Sequence, residues 1–210
     1  MEQLVKSAAT RLTPLGVMVL ALLREGDMHP YEMIRLMRQR RHDRLVPITN
    51  GTFYHTVARL ERQGLLAEVG VDRDGNRPER TTYTMTDAGQ EAVAEWVRAE
   101  LPRTDRPAEF RVAIAESHNI DRQEVIDLLT IRRAALAAEH RLFADGVRSA
   151  RERLVPEQYL IQTGRQAALL AADLEWLDGF LAALEEHRYP WGIDIESREV
   201  ADLADLADFA

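Results

Sequence analysis

Between residues 160 and 184, apolar or small side chains recur at spacings of 3, 4, 3, 4, 3, 4 and 3: Leu160, Thr163, Ala167, Leu170, Leu174, Leu177, Leu181 and Leu184. That period holds every one of them on a single helical stripe, the seam of a coiled coil sustained for about three and a half heptads. A helix so patterned must lay its stripe against another helix. The preceding segment supplies one. Asp121 reads as the N-cap of a helix running to about Leu154, and Leu128, Ile131, Ala135, Ala138 and Leu142 repeat along it. Two helices in one hairpin leave too little surface for both seams and for further apolar residues such as Leu169, Trp176 and Phe180. A second copy of the chain is the simplest cover, placing Leu160, Leu170, Leu174, Leu177, Leu181 and Leu184 at a dimer interface. The alternative cover is the same chain's fourth helix and C-terminal segment.

The first hundred residues follow a different pattern. "LTPLGVMVLALLREG" opens with Thr13 as N-cap and Pro14 at the first helical position, and Gly26 ends it. "HPYEMIRLMRQRR" makes a second helix, with Tyr31, Ile34 and Met37 expected inward and arginines outward. "TNGTFYHTVARLERQG" makes a third, with Thr49 as N-cap, Gly64 as stop, and Phe53, Val57 and Leu60 as its apolar stripe. "LLAEVGV" and "RTTYTM" read as two strands joined by a turn at Asp74-Gly75-Asn76. Thr86 then caps a fourth helix, Asp87 to Leu101, that buries Ala92, Val93, Trp96 and Val97. Three helices and a hairpin in this order describe a winged helix-turn-helix.

The expected fold is therefore mainly α: an N-terminal winged helix-turn-helix plus a C-terminal long-helix dimerisation domain. Residues 1–101 form the first domain, 102–120 a linker with a short helix, 121–188 the helical dimerisation domain, and 189–210 an acidic tail. "PRTDRP", with Pro102 and Pro107, is the candidate hinge. In the tail, Val200, Leu203 and Leu206 have the spacing of a short amphipathic helix, and a solvated segment is the alternative.

Net charge is −8, but it is unevenly spread. Residues 1–101 hold 14 basic and 14 acidic side chains, whereas residues 102–210 hold 13 and 21. Between 35 and 62, seven arginines face only Asp43 and Glu61. A neutral domain with such a patch can dock on phosphates, although a charge-rich solvated face is the plainer reading. The absence of cysteine removes disulfides, Cys-based zinc sites and a thiol nucleophile. No apolar run approaches the ~20 residues that span a bilayer, and "MEQLVKSAATRL" lacks the pattern of a signal peptide. These features read as a cytoplasmic protein with no membrane partner.

The third helix carries the functional signal. DNA's major groove admits one α-helix whose entering face is slim and able to hydrogen-bond. Gly51 and Ala58 permit close approach, and Thr49, Asn50 and Thr52 lie at the N-terminus, where amides and the dipole attract phosphate. The Tyr54 hydroxyl reaches a phosphate, His55 and Arg59 point where base edges would lie, and Arg62 suits the backbone. Arg77, with Arg73 and Arg80, marks the wing as a further contact, diluted by Asp72, Asp74 and Glu79. An ordinary surface helix of an α-helical domain is the rival explanation.

These segments resemble the PadR family of bacterial transcriptional regulators, over Leu12 to about Leu101. "LTPLGVMVLALLREGDMHPYEM" is similar to the family's first two helices, "NGTFYHTVARLERQGLL" to its recognition helix, and "GNRPERTTYTMTDAG" to its wing. The C-terminal half is similar in length and helical character to the larger subtype, where it forms the dimer. Pro30 stands where the family commonly has Gly, and Asn50 and His55 where it commonly has Pro. The resemblance implies a homodimeric repressor that leaves an inverted-repeat operator in double-stranded DNA when a small molecule binds. It implies phenolic or planar hydrophobic effectors and detoxification or efflux targets. Trp96, Phe143, Trp176 and Phe180 are the candidate effector-pocket residues, with Tyr159 a further aromatic nearby; core packing is their plainer role.

No phosphate loop, nucleophile elbow or Gly-rich dinucleotide fingerprint is present. The six histidines include no i, i+4 pair. No catalytic residue, metal ligand or cofactor is expected. The rival function is a non-enzymatic helical protein-interaction module without specific DNA binding.

Overall fold

The computed structural model describes residues 12–72 and 80–192. Its elements are α1 (Pro14–Leu23), α2 (Pro30–Gln39), α3 (Asn50–Arg62), β1 (Leu66–Asp72), β2 (Arg80–Met85), α4 (Asp87–Glu100), α5 (Pro107–Ala115), α6 (Arg122–Glu152) and α7 (Ile161–Glu185), with short 3-10 turns at His42–Arg44, Ser117–Asn119 and Glu157–Tyr159. The chain is mostly helical, a winged helix-turn-helix followed by a pair of long helices. Arg77, Arg73, the Asp74-Gly75-Asn76 turn and the tail stretch with Val200, Leu203 and Leu206 lie outside the described residues.

Local chemistry sets the winged unit. Thr13 Oγ1 accepts from the Gly16 amide at 3.2 Å and Pro14 opens α1, as capping rules require. Apolar nearly all round, α1 is a core helix; Val17, Val19 and Leu20 are completely buried. On α2 the inward stripe is Pro30, Met33, Ile34 and Met37. Tyr31, expected inward, is 66% exposed. It sits one residue, about 100°, round the helix from Pro30, and Met33 fills the place assigned to it. The two strands pair antiparallel from Leu66↔Met85 to Asp72↔Arg80, with a bulge between Glu68 and Gly70. Met28, before α2, bridges Tyr83 through reciprocal backbone bonds of 3.0 and 3.1 Å. The hairpin is thereby tied to the α1–α2 connection.

A tight corner sets where α4 begins. The Thr86 amide donates to the Leu65 carbonyl at 3.2 Å, its hydroxyl donates to the Gly64 carbonyl at 2.7 Å, and the Gly89 amide returns a bond to that hydroxyl at 3.1 Å. A Cβ at position 89 would lie 2.1 Å from the Leu65 carbonyl oxygen. Backbone against backbone cannot give way cheaply.

The stretch expected to act as a hinge is half-buried at Pro102 and Arg103 and exposed from Thr104 to Pro107. Arg106 donates to Glu100 at 3.2 Å, and Arg103 pairs with Asp105 at 2.7 Å. Leu101, Val112 and Ala113 are completely buried, and one apolar core runs from α1 through α5 into α7. Arg132, in the middle of α6, donates to the Arg103 carbonyl and stacks its guanidinium 3.5 Å from the Phe110 ring centre.

The long helices correct one expectation. Arg133 pairs with Asp178 and Arg122 donates to the Tyr189 carbonyl, so α6 and α7 run antiparallel. The α7 seam assigned to a dimer interface is closed within the chain: Leu160, Leu170, Leu177, Leu181 and Leu184 are buried and Leu174 half-buried without a partner. Their cover is a second heptad stripe on α6, comprising Val125, Leu129, Arg132, Leu136, Phe143, Val147 and Ala150, all buried except the half-buried Phe143. An arginine occupies one seam position of that stripe, which hides it from a hydrophobic reading. The α6 seam anticipated from sequence is half-buried at Leu128, against the core, and faces outward beyond it. Ile131 is 59% and Leu142 72% exposed, with Ala135 and Ala138 exposed between them.

Gly89→Ala is expected to lower the unfolding free energy by about 3 kcal/mol, read from the midpoint of chemical denaturation. A variant as stable as wild type would show that the corner relaxes freely.

Candidate nucleic-acid interface

The geometry of α3 follows from what it buries. Phe53 and Leu60 are completely buried and Val57 is 2% exposed, which fixes the rotation of the helix against α1 and α2. Thr56 is buried beside them, its hydroxyl donating to the Thr52 carbonyl at 2.8 Å. The opposite face, with Gly51, Thr52, Tyr54, His55, Ala58 and Arg62, is exposed.

The start of the helix is built by two threonines. The Thr52 amide donates to Thr49 Oγ1 at 3.2 Å, the Thr49 amide donates to Thr52 Oγ1 at 3.3 Å, and the hydroxyls lie 2.8 Å apart. This reciprocal box leaves the amides of Asn50 and Gly51 without intrahelical acceptors, at the positive end of the dipole. Arg38 from α2 donates to Asn50 Oδ1 at 3.1 Å, adding a guanidinium to that end. Sequence reading counted Arg38 among the arginines but did not place it there; the contact joins residues 12 apart on two helices.

Tyr54 is 46% exposed and leans its ring edge-to-face on Phe53, centroids 6.5 Å apart. The packing on Phe53 fixes the direction of the ring, and the hydroxyl with it. Arg62 donates through Nε to the Ala58 carbonyl at 3.2 Å, so its two terminal nitrogens stay available to another acceptor.

Two arginines of the basic stretch are occupied. Arg40 grips Glu25 with bonds of 2.5 and 2.7 Å. Arg59, expected among the outward groups, is half-buried and donates to Thr13 Oγ1 at 3.0 Å, with its Nε buried and unpartnered. In this arrangement it braces α3 against the first turn of α1 rather than standing with His55. Arg35, Arg38, Arg41, Arg44 and Arg62 remain exposed.

The aromatic residues expected at an effector pocket are dispersed in role. Trp96 is 4% exposed, sealed in the core. Trp176 stacks on Phe180 at 5.3 Å and is 51% exposed, with Tyr189 6.1 Å beyond Phe180. A cleft of about 780 Å³ opens elsewhere, between Arg98, the Ser117–Asn119 turn, the first turn of α6 and Trp191. None of the four candidate aromatics lines it. Trp191, which sequence reading passed over, anchors its wall by donating to the Ile120 carbonyl at 3.0 Å. Among the described residues no group of three or more His, Asp or Glu is placed to hold a metal, and no helix is long and apolar enough to cross a membrane.

Residues 19–95 match the model of the transcriptional regulator PadR-like family. Among solved structures, the chain is similar to Bacillus subtilis PadR in complex with operator DNA, at 20% identity, over 81% of this chain and 98% of that one, with a TM-score of 0.38. It is also similar to smu.1604c from Streptococcus mutans UA159, at 17% identity over 80% and 98% of the two chains, TM-score 0.37. A third similarity is to Bacillus subtilis PadR in complex with p-coumaric acid, at 18% identity over 82% and 99%, TM-score 0.37. No curated protein matches the chain.

Thr49→Ala removes the half of the reciprocal box in which Thr49 Oγ1 accepts from the Thr52 amide, leaves the half donated by the residue-49 amide, and is expected to cost about 1 kcal/mol, measured by thermal unfolding. An unchanged melting midpoint would mean that tertiary packing alone sets the start of α3.

Proposed function

We propose that this chain, whose residues 19–95 match the model of the transcriptional regulator PadR-like family, acts as a homodimeric repressor that reads double-stranded DNA with α3. The observation that carries this reading is the exposed face of α3, slender at Gly51 and Ala58 and lined by Thr52, Tyr54, His55 and Arg62. In the major groove His55 meets base edges. The amides of Asn50 and Gly51 seat one phosphate together with Arg38, Thr49 shapes that seat, and the Tyr54 hydroxyl and Arg62 hold further phosphates. Arg59 supports the posture of α3 through Thr13, and becomes a base reader only by leaving that hydroxyl. Arg77 in the wing extends the contact.

Two copies are needed to read an inverted repeat. The outward α6 stripe of Ile131, Ala135, Ala138 and Leu142 is the proposed dimer contact, in place of the α7 leucines. Four heptad-spaced positions left in water along one helix support this. Changing both Ile131 and Leu142 to Glu is expected to yield a folded monomer in sedimentation. A variant that still dimerises moves the interface elsewhere.

A small aromatic or phenolic effector belongs to the same reading, with release of the operator as its result. The half-exposed Trp176–Phe180 stack offers it a surface, and Phe143 lies along the same hairpin. Trp96 is too deeply enclosed to meet a ligand directly.

Capture of genomic fragments by the purified full chain tests the function. Recovery of an inverted repeat, with affinity falling steeply as salt rises, is expected. Arg62→Ala should weaken all sequences alike and reduce the salt slope by about 1. No salt-dependent binding to any fragment would instead favour the protein-interaction module.

A further inference from the structure

We propose that Glu116 is a proton-operated coupler: its neutral carboxyl holds α5 against the ends of α1 and α2, and its ionisation loosens that contact. The residue is the C-cap of α5 and is 9% exposed, where the winged unit meets the segment leading to the α6–α7 hairpin.

The surrounding bonds are few and directional. Asn119 Nδ2 donates to the Glu116 carbonyl at 2.8 Å and to its Oε2 at 3.1 Å. Asn119 Oδ1 in turn accepts from Arg24, the C-cap of α1. The guanidinium nearest the carboxylate is therefore engaged through Asn119. From α1, Arg24 and Glu25 face the group; from α2, Arg40 does so, already in a two-bond pair with Glu25. His42, in the turn after α2, keeps a buried and unpartnered Nδ1; burial first, and then the charge of Arg40, lower its pKa. His118, two residues along from Glu116, is held low by burial and then by Arg24. A second tie holds α5 to the same corner: Arg111 donates to the Arg44 and Leu45 carbonyls, each at 3.4 Å.

Burial raises the Glu116 carboxyl from 4.5 to about 7, against the opposing pull of the Asn119 bond and of Arg24. The folded value lies above the unfolded one, so the folded chain holds the extra proton between them. The stabilising effect of the neutral form is full below about 4.5 and fades as pH rises towards about 7. Once ionised, the carboxylate has one side-chain donor, Asn119. It must admit water or draw Arg24 away from Asn119 Oδ1, and either change opens the α1–α5 contact. The proton leaves to solvent and no other bond is made or broken. Because α5 precedes the hairpin directly, its purchase on α1 sets the posture of the reader helix.

The consequence for DNA rests on the proposed function; the coupler itself is tested without DNA. Carboxyl NMR of the full-length wild type should show Glu116 titrating near neutrality. Amide exchange across α5, corrected for intrinsic rates, should quicken severalfold as pH rises from about 6 to about 8. In Glu116→Gln the exchange should no longer quicken and the melting midpoint should no longer fall across that window; the lowered His42 and His118 shift the midpoint upward instead. DNA affinity should fall severalfold over the same window in wild type and not in the variant. A carboxyl titrating in the ordinary range, or wild type and Glu116→Gln responding alike in exchange and melting, overturns the coupler. A pH response lost in the variant, with no DNA bound at any pH, supports the coupler and overturns the DNA reading.

Discussion

Burial of Phe53, Val57 and Leu60 is the constraint on which the rest of the winged unit depends. Fully removing side chains of this size from water stabilises by about 1.5–3 kcal/mol each, and all three are at most 2% exposed. Turning α3 by one residue would push Phe53 and Val57 into water and Tyr54 and Ala58 into the core. The outward placement of Thr52, Tyr54, His55 and Arg62 is a consequence of that cost. The ends of the helix are set just as firmly. The threonine box defines the start, and Gly64, at φ +70°, turns the chain so that Leu65 enters the core 2% exposed. Thr86 then bonds back to Gly64 and Leu65. The reader helix, the wing and α4 therefore share one corner.

The winged unit packs against the segment that follows the connecting stretch. The apolar surface of α1 is too broad for α3 and α4 to cover, and α5 supplies a further wall through Val112 and Ala113. Arg132 closes the other side. A buried guanidinium must find acceptors, and it finds the Arg103 carbonyl and the face of Phe110. The cation that interrupts the α6 seam is thus also a fastener between the hairpin and the connecting segment. α5 and its flanks thus touch both α1 and the hairpin, which is where the proposed carboxyl at its C-cap would act.

The sequence revealed what depends on local chemistry and period. Thr13, Thr49, Thr86 and Asp121 cap the helices they were expected to cap, because a cap is a bond to residues two or three positions on. The strands and the α3 stripe were legible for the same reason. What escaped was non-local. Arg132 reads as a surface residue until Phe110 is placed beneath it. The α6 stripe through Val125, Leu129 and Leu136 competes with another of equal period, and only the partner helix decides between them. Arg59 and Arg40 look like free charge on a helix wheel until Thr13 and Glu25 arrive from α1. Of the interface, the slim face and its capping residues were visible; the placement of Arg38 and the withdrawal of Arg59 were not.

The withdrawal of two arginines also bears on how an acidic protein addresses a polyanion. With Arg40 neutralised by Glu25 and Arg59 drawn under α3, the exposed positive charge between 35 and 62 rests on Arg35, Arg38, Arg41, Arg44 and Arg62. One of these, Arg38, is fixed at the N-terminal end of the reader helix. Residues 102–210 carry the whole of the net charge of −8, and residues 193–210, outside the described residues, hold −5 of it. On the proposed reading, a duplex is drawn to the neutral winged unit and its arginines rather than to the acidic half. A strongly basic chain would gain non-specific affinity from all sides. On the proposed reading, attraction confined to the winged unit selects an orientation before any base is read, which leaves discrimination to the few side chains that the buried stripe turns outward.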